Sequence, residues 1–477
     1  MHAGVIASLL TCPRRWHTSL DVAVGPIRGA YWPALTALAL AISVAAGCAS
    51  ARTNAASQPA PVTDPLEGWL RRSALRLSSL DDAGEALARL DGKLADRQVV
   101  LVGEPDHFIH EKYAYRLSII RHLFARGFRL VGMEMGRSDA QRIDRYIETG
   151  DERWLDRVAL YGYRGDLRTD RKPPAKSMFA ARNQVAVDAY RAEERRFAHA
   201  LRVISESRPA STPRLRFFGY DVDMLPGGGY ADLDELLAPA ASNPVVAELR
   251  ARLRRVDGES AEAERARLVD AAALVWSRAR ELTAALSAEN FVEVKATLTC
   301  LGESLLYAGM TEGEPDAGHL LAALRRREET MFWQVDTALA RDSGARAVLL
   351  GHNLHLTRDE HALREIPSLP AWTWPRLGSH LVEKWGDKVA AIWLLYARGA
   401  HSDLQHCDAP SCPIASAPDD LGARLAHAGP AFVVPSHGPT VLDEMHPFLE
   451  NGNEVLGRLA RVTDYVVFVE SVHGLTR

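Results

Sequence analysis

The sequence predicts an α/β fold: a mainly parallel sheet flanked by helices, with an inserted helical subdomain covering its cleft. Three observations carry that prediction. Short apolar runs alternate with helical patterns, Val99–Val102, His110–Arg126, Leu130–Met133 and Asp139–Glu148 in turn, at the spacing of strand–crossover–strand units. The predicted strands run into titratable residues at their carboxyl ends, where open parallel sheets bind ligands: Glu104 and His107, Glu134, Asp221 and Asp223, His352 and His355. Leu233–Arg341 is dominated by Ala, Leu, Arg and Glu at helical spacing without a convincing strand, which places a helical subdomain at about residues 233–341.

The composition, 47% hydrophobic and 25% charged over 477 residues, is that of a globular protein. With 57 basic against 61 acidic residues the net charge is −4, so no basic surplus supports nucleic-acid binding. Tyr31–Gly47 is an apolar stretch preceded by Arg28, too short and too broken by Pro33 for a permanent spanning helix. It ends in Ala45-Ala46-Gly47 directly before Cys48, which resembles a bacterial lipobox. Residues 1–48 are therefore expected to be a leader that leaves a lipid anchor on Cys48, with an ordinary secretory signal as the alternative. Either address is an exported one, and the lipobox implies a membrane-anchored lipoprotein facing the periplasm. Residues 49–65, rich in Ser, Ala and Pro, form a tether too poor in large apolar residues to fold. The folded domain is then 66–477.

In chain order, Leu66–Leu94 reads as helix with Asp81-Asp82 in a cap region. Asp151–Ser177 has weak periodicity and reads as an insertion or flap, and Val185–Glu206 as a charged helix. Leu215–Gly219 is the third strand, and Gly227-Gly228-Gly229 a flexible turn; with no Lys-Ser/Thr behind it, it is no phosphate cradle. The charge runs Arg250–Arg255 and Arg325–Glu329 read as solvated helix faces. Ala345–Leu350 is a fourth strand, Gly378–Trp385 a helix, and Val389–Tyr396, Phe432–Pro435 and Val466–Val469 are later strands, with a Cys/Pro/Asp loop at His401–Asp420. Cys407 and Cys412 in that loop are expected to form a disulfide, as export permits; a metal pair is the rival, but no second pair completes a zinc site. Cys300, among helical residues, is expected to be a buried apolar thiol.

The densest chemistry follows the first central strand. Glu104, Asp106, His107, His110 and Glu111 fall within Arg97–Arg116, RQVVLVGEPDHFIHEKYAYR. A carboxylate three residues before a histidine can fix the imidazole and raise its basicity, which suits a general base acting on water. The alternative is that Glu104 or His107 merely caps the next helix. In GHNLH, His352 and His355 could bind metal, donate to an oxyanion, or satisfy buried backbone. Glu134 is either a catalytic acid or an ion-pair partner of Arg116. Ser379 and Ser436 lack the glycine-flanked elbow of a serine hydrolase.

Taken in order, these residues resemble the erythromycin esterase family, within the wider erythromycin esterase/ChaN-like group. The likeness rests on GEPDH, His110-Glu111, Arg116, Glu134, Arg145–Gly150 (RYIETG), Gly219–Asp221 (GYD), Arg327–Met331 (REETM), GHNLH and Leu377–Leu381 (LGSHL). It spans most of Gln98–Arg398; the tail after His401 is less clearly matched. The resemblance implies hydrolysis of an ester or lactone, macrolides in the type enzymes, with no cofactor and no metal. It implies His107 as the base, Glu104 and Glu134 as its acidic partners, Arg116 as the helix cation and His352 and His355 as the paired histidines. Asp106, Phe108, His110, Asp221 and Asn353 are assigned to the substrate-binding wall. This chain departs from the family in its motif interior, Pro105-Asp106 and Phe108-Ile109, and there substrate choice is expected to differ.

The expected function is a carboxylic ester hydrolase acting on a small-molecule ester or lactone. A metal-dependent hydrolase or peptidase using the same Glu/His cluster, and a non-enzymatic ligand- or haem-binding lipoprotein, are the alternatives.

Overall fold

The chain was analysed as a computed structural model, in which residues 64–158, 184–223, 227–256, 258–311, 316–341, 344–365, 373–402 and 411–476 are described. The leader with Cys48, the tether up to 63, most of the Asp151–Ser177 segment and Cys407 lie outside them. Among the described residues, no helix is long and apolar enough to cross a membrane.

The strands are β1 (Leu75–Arg76), β2 (Val99–Glu104), β3 (Leu130–Gly136), β4 (Arg216–Asp221), β5 (Ala347–His352), β6 (Leu363–Arg364), β7 (Val389–His401), β8 (Cys412–Ala415), β9 (Ala431–Pro435), β10 (His446–Glu450), β11 (Asn453–Gly457) and β12 (Tyr465–Val472). Nine of them form one sheet, in the order β1-β9-β12-β7-β2-β5-β3-β4, with β8 joined to β7. From β12 to β4 all neighbours are parallel; β1, β8 and β9 add antiparallel pairings. β10, β11 and β6 make a second, antiparallel sheet.

The helices are α1 (Pro65–Ser73), α2 (Ala83–Leu90), α3 (Glu111–Phe124), α4 (Arg137–Thr149), α5 (Gln184–Glu206), α6 (Gly227–Leu237), α7 (Pro244–Leu253), α8 (Ala261–Ser277), α9 (Ala279–Leu286), α10 (Ala288–Thr311), α11 (Ala317–Ala340), α12 (Leu377–Trp385), α13 (Leu421–Ala426) and α14 (Leu459–Val462). β2 reads as a continuous apolar run because helices cover both faces of the sheet. Val100 and Val102 pack with Ile119, Ile120 and Leu123 of α3, whereas Val99 and Leu101 share a core with Met331 and Val335 of α11 and Leu381 of α12. Helices α6–α10 close around a separate core that includes Leu233, Leu249, Leu268, Leu282 and Leu301. α11 packs on α10 and also lies along the sheet, with Met331, Val335 and Leu339 in the sheet core.

Three local expectations are corrected. Leu66–Leu94 is not one helix: it is interrupted by β1, because Leu75 and Arg76 find sheet partners in Val433 and Phe432 that no helical pattern reveals. Asp81 and Asp82 lie in a short 3₁₀ turn capped by Ser79, and Asp82 does stand at the N-cap of α2, without a side-chain cap bond. The three glycines at 227–229 open α6 rather than a flexible turn, and Gly229 faces Leu301 of α10, where an added Cβ would make ordinary van der Waals contact. The His401–Asp420 loop contains β8, and its Cys412 is disulfide-bonded. Cys300 is free and buried, as expected of an apolar thiol.

Candidate active site

β2 delivers Glu104 at its last position, in register with His352 at the end of β5. From there Glu104 Oε1 lies 2.7 Å from His107 Nδ1. Its Oε2 lies 2.7 Å from Arg116 Nη2 and 3.6 Å from Lys112 Nζ, both on α3. Burial pushes the Glu104 carboxyl up, but Arg116, Lys112 and His107 outweigh it and hold it at about 2. α3 starts at Glu111, with His110 at the cap position and no side-chain cap bond, so neither Glu104 nor His107 serves as a cap.

Gly103 has to be glycine for packing reasons. An added Cβ would sit 2.2 Å from Asn353 Oδ1, and the Asn353 N–H donates to the Glu104 carbonyl at 2.9 Å. Gly103→Ala is expected to cost about 1–3 kcal/mol by overpacking, read from urea denaturation, and to displace Glu104 enough to lower turnover.

Glu134 comes from β3, where the register against β4 shifts between Met133 and Gly136. Such an irregularity re-aims a side chain. Glu134 Oε2 accepts the His352 backbone N–H at 2.7 Å, while Oε1 lies 3.1 Å from Arg327 Nη2 and 3.3 Å from His355 Nε2. The pairing of Glu134 with Arg116 is not formed, since Arg116 is spent on Glu104. Arg327 also grips Asp221 with two bonds, Nε–Oδ1 at 2.9 Å and Nη2–Oδ2 at 2.6 Å. His355 Nδ1 meets Glu328 Oε1 at 2.6 Å, and Glu328 Oε2 accepts the Leu377 N–H at 2.9 Å. Burial lowers His355, but Glu134 and Glu328 raise it to about 10, so it is a cation clamped between two carboxylates. Burial raises Glu134, yet His355, His107 and Arg327 hold it well below the usual carboxylate range.

The sequence-predicted residues thus divide. Glu104, His107, Arg116, Glu134, His352 and His355 come together, with the His107 and His352 rings 5.0 Å apart. His107, at 17% side-chain exposure against 4% for His352 and 11% for His355, is where the cluster opens. Phe108 packs against Tyr190 beside it. Asp221 is buried under Arg327, and Asn353 is buried with its amide on Leu394 and Glu450. Asp106, expected at the mouth, is fully buried: it accepts from the Phe108 N–H and lies 2.6 Å from His401 Nδ1. His110 points to a different partner, Glu193 of α5, at 2.7 Å. Asp223 joins a separate buried group with Ser138 and Asp232, whose charge, after burial itself, lifts it to about 7.

Four participants carry no role in the sequence reading: Lys112, Arg327, Glu328 and Glu450. Arg327 and Glu328 sit in a charge run read as a solvated face, and the REETM motif is the signal that marks them. α11 turns that part of the run inward: Glu328 is 1% exposed. Glu450 lies 3.0 Å from His352 Nε2, on a hairpin announced only by Asn451-Gly452, whose φ values of 49° and 72° fit a tight turn. Both His355 nitrogens are committed to carboxylates. Among the described residues, no group of three or more His, Cys, Asp or Glu is arranged to hold a metal ion.

A family model described as erythromycin esterase matches residues 124–471. That match starts behind Glu104, His107 and Arg116, includes Glu134, His352 and His355, and runs well past His401, where the resemblance in sequence fades. Among solved structures, a Bacillus cereus protein is 16% identical, with 86% of this chain and 98% of that one covered and a TM-score of 0.66. A succinoglycan biosynthesis protein is 15% identical over 88% of this chain and 100% of its own, with a TM-score of 0.61. A histidine-to-asparagine mutant of the erythromycin esterase EreC, in its open conformation, is 17% identical over 85% and 98%, with a TM-score of 0.57. At these identities the likeness is one of fold. No curated protein matches the chain.

Proposed function

We propose a function from one premise: the chain belongs to the erythromycin esterase family. Membership points to a hydrolase, and our reading is a carboxylic ester or lactone hydrolase that acts through water activated by His107, without a metal. The observation that carries it is the 2.7 Å contact of Glu104 with His107 Nδ1, braced from behind by Arg116. With Nδ1 carrying the proton toward Glu104, Nε2 becomes the basic nitrogen and takes a proton from water. The hydroxide equivalent then adds to the ester carbonyl.

The remaining charges divide the work. Arg116 and Lys112 keep Glu104 ionised, and Arg327 and His355 keep Glu134 ionised and fixed. Glu134 in turn holds the His352 backbone, and the His352 ring faces the reaction beside His107 as a donor to the developing oxyanion. Helices α6–α11 would cover the cleft and set the substrate, together with Phe108. The Cys48 lipid anchor and periplasmic placement belong to this reading on the strength of the leader sequence alone.

The test is a screen of aryl and alkyl esters and lactones, macrolides included, on protein treated with chelator. Turnover of at least one ester that persists after chelation is expected. Chelator-sensitive turnover would favour the metal-dependent hydrolase, and absence of any ester turnover would sink the reading.

A further inference from the structure

The Glu450–His352 contact has no role in that scheme. It joins two buried side chains from elements far apart in sequence. Glu450 ends β10 and is 2% exposed. One of its oxygens accepts from Asn353 Nδ2 at 2.8 Å, and the other lies 3.0 Å from His352 Nε2. The Pro105 carbonyl lies 3.3 Å from the same nitrogen. The next residue, Asn451, donates its N–H to that Pro105 carbonyl and accepts the His107 N–H on its side-chain oxygen at 3.3 Å. The hairpin therefore holds the backbone of one histidine and the ring of the other.

We propose that Glu450 is a positioning residue that makes His352 the proton donor of this site, delivering a proton from Nδ1 to the alkoxide that leaves the ester. This rests on the hydrolase reading and adds a role for the second histidine. With Glu450 ionised, both groups at Nε2 are acceptors, so Nε2 keeps its hydrogen and Nδ1 is the nitrogen whose protonation varies. A neutral ring would present a lone pair at Nδ1, whereas a cationic ring presents N–H. The charges around the ring favour the cation. Burial works against it and His355 repels it, but Glu450 and Glu134 outweigh both and raise His352 above its ordinary value. Burial likewise raises Glu450, and His352 and Asn353 beside it pull it back down.

The protons then balance. His107 takes one from water as the oxygen bonds to the carbonyl carbon. The tetrahedral intermediate collapses with cleavage of the bond to the alcohol oxygen, and that oxygen takes the proton from His352 Nδ1. Acid and alcohol leave, and the proton on His107 returns to His352 across rings 5.0 Å apart. Without Glu450 the second transfer fails while the first is intact.

That asymmetry supplies the experiment. Glu450→Gln and Glu450→Asp would be compared with wild type on an alkyl ester and on the corresponding p-nitrophenyl ester, whose leaving group needs no proton. Loss of an acid catalyst is worth on the order of 10²-fold. E450Q is expected to lose that much kcat on the alkyl ester, at least tenfold more than on the p-nitrophenyl ester, with partial recovery in E450D. The alkaline limb of its alkyl-ester pH profile should move to lower pH, because a proton donor that has lost its anionic partner empties sooner. NMR titration of ¹⁵N-labelled histidine, assigned through H352N, should show the His352 midpoint falling in E450Q. Equal losses on both esters, or an unmoved His352 midpoint, would overturn the proposal. If wild type opens no ester, the hydrolase reading falls, and the NMR titration still decides whether Glu450 controls His352.

Discussion

On the proposed mechanism, His107→Ala is expected to lower kcat/KM for ester hydrolysis by about 10³-fold, within the range that a positioned general base contributes. In that role the imidazole would act on water in the transition state, so the loss is expected on kcat rather than KM. Stability should change little. His107 is the most exposed of the three site histidines, and its removal takes one hydrogen bond from Glu104 while Arg116 and Lys112 remain. Thermal denaturation and steady-state kinetics on the same preparation check both halves. An alanine variant that retains wild-type turnover would remove His107 from the mechanism, and a variant that unfolds would show that the loop is structural.

The second large effect is on stability. Arg116→Met leaves the buried Glu104 carboxylate without its nearest cation, a change that costs about 3–5 kcal/mol at neutral pH. The pH dependence has a definite sign. In wild type the Glu104 carboxyl is held at about 2, against an ordinary 4.5. Its contribution is therefore present above about 4.5 and is lost as pH falls toward 2. In R116M Lys112 and His107 remain but the leading opposing charge is gone, so the depression of the Glu104 carboxyl shrinks, and with it the stability that acid removes. The gap in urea stability between the two proteins should thus narrow steadily as pH falls from 6 to 3. A gap that stays constant over that range would show that Arg116 stabilises through packing and not through charge.

Much of this centre can be read in the chain. Glu104 and His107 stand three apart after an apolar run, and a carboxylate can reach the ring at that distance whatever the rest of the fold does. Arg116 lies on the helix that follows, and the GHNLH pair marks the end of another strand. The layered α/β arrangement is legible for the same reason: alternating strand and helix periods are local properties. The strand ends lengthened on folding, with β3 reaching Gly136 and β7 reaching His401, because pairing extends wherever a neighbour offers a ladder.

What periodicity could not decide was partnership. Arg116 had two acids in view, Glu104 and Glu134, and only the register of β2 beside β5, with the irregularity in β3, separates them. Asp106 reads as a polar residue at a pocket mouth, yet His401, from a strand end almost three hundred residues later, draws it into the interior. Arg327 and Glu328 look like any charged helix face until α11 lies across the sheet.

The sequence by itself determined the α/β fold class and the nearness of Glu104, His107 and Arg116 to one another. Each depends on residues close along the chain or on a repeating pattern. The tertiary structure alone decided that His355 is a cation spent on Glu134 and Glu328, and that His352 is held by Glu450. The physical reason is that the charge of a buried imidazole is set by whichever carboxylates the sheet and the hairpin bring within about 3 Å, and no spacing rule reports that distance.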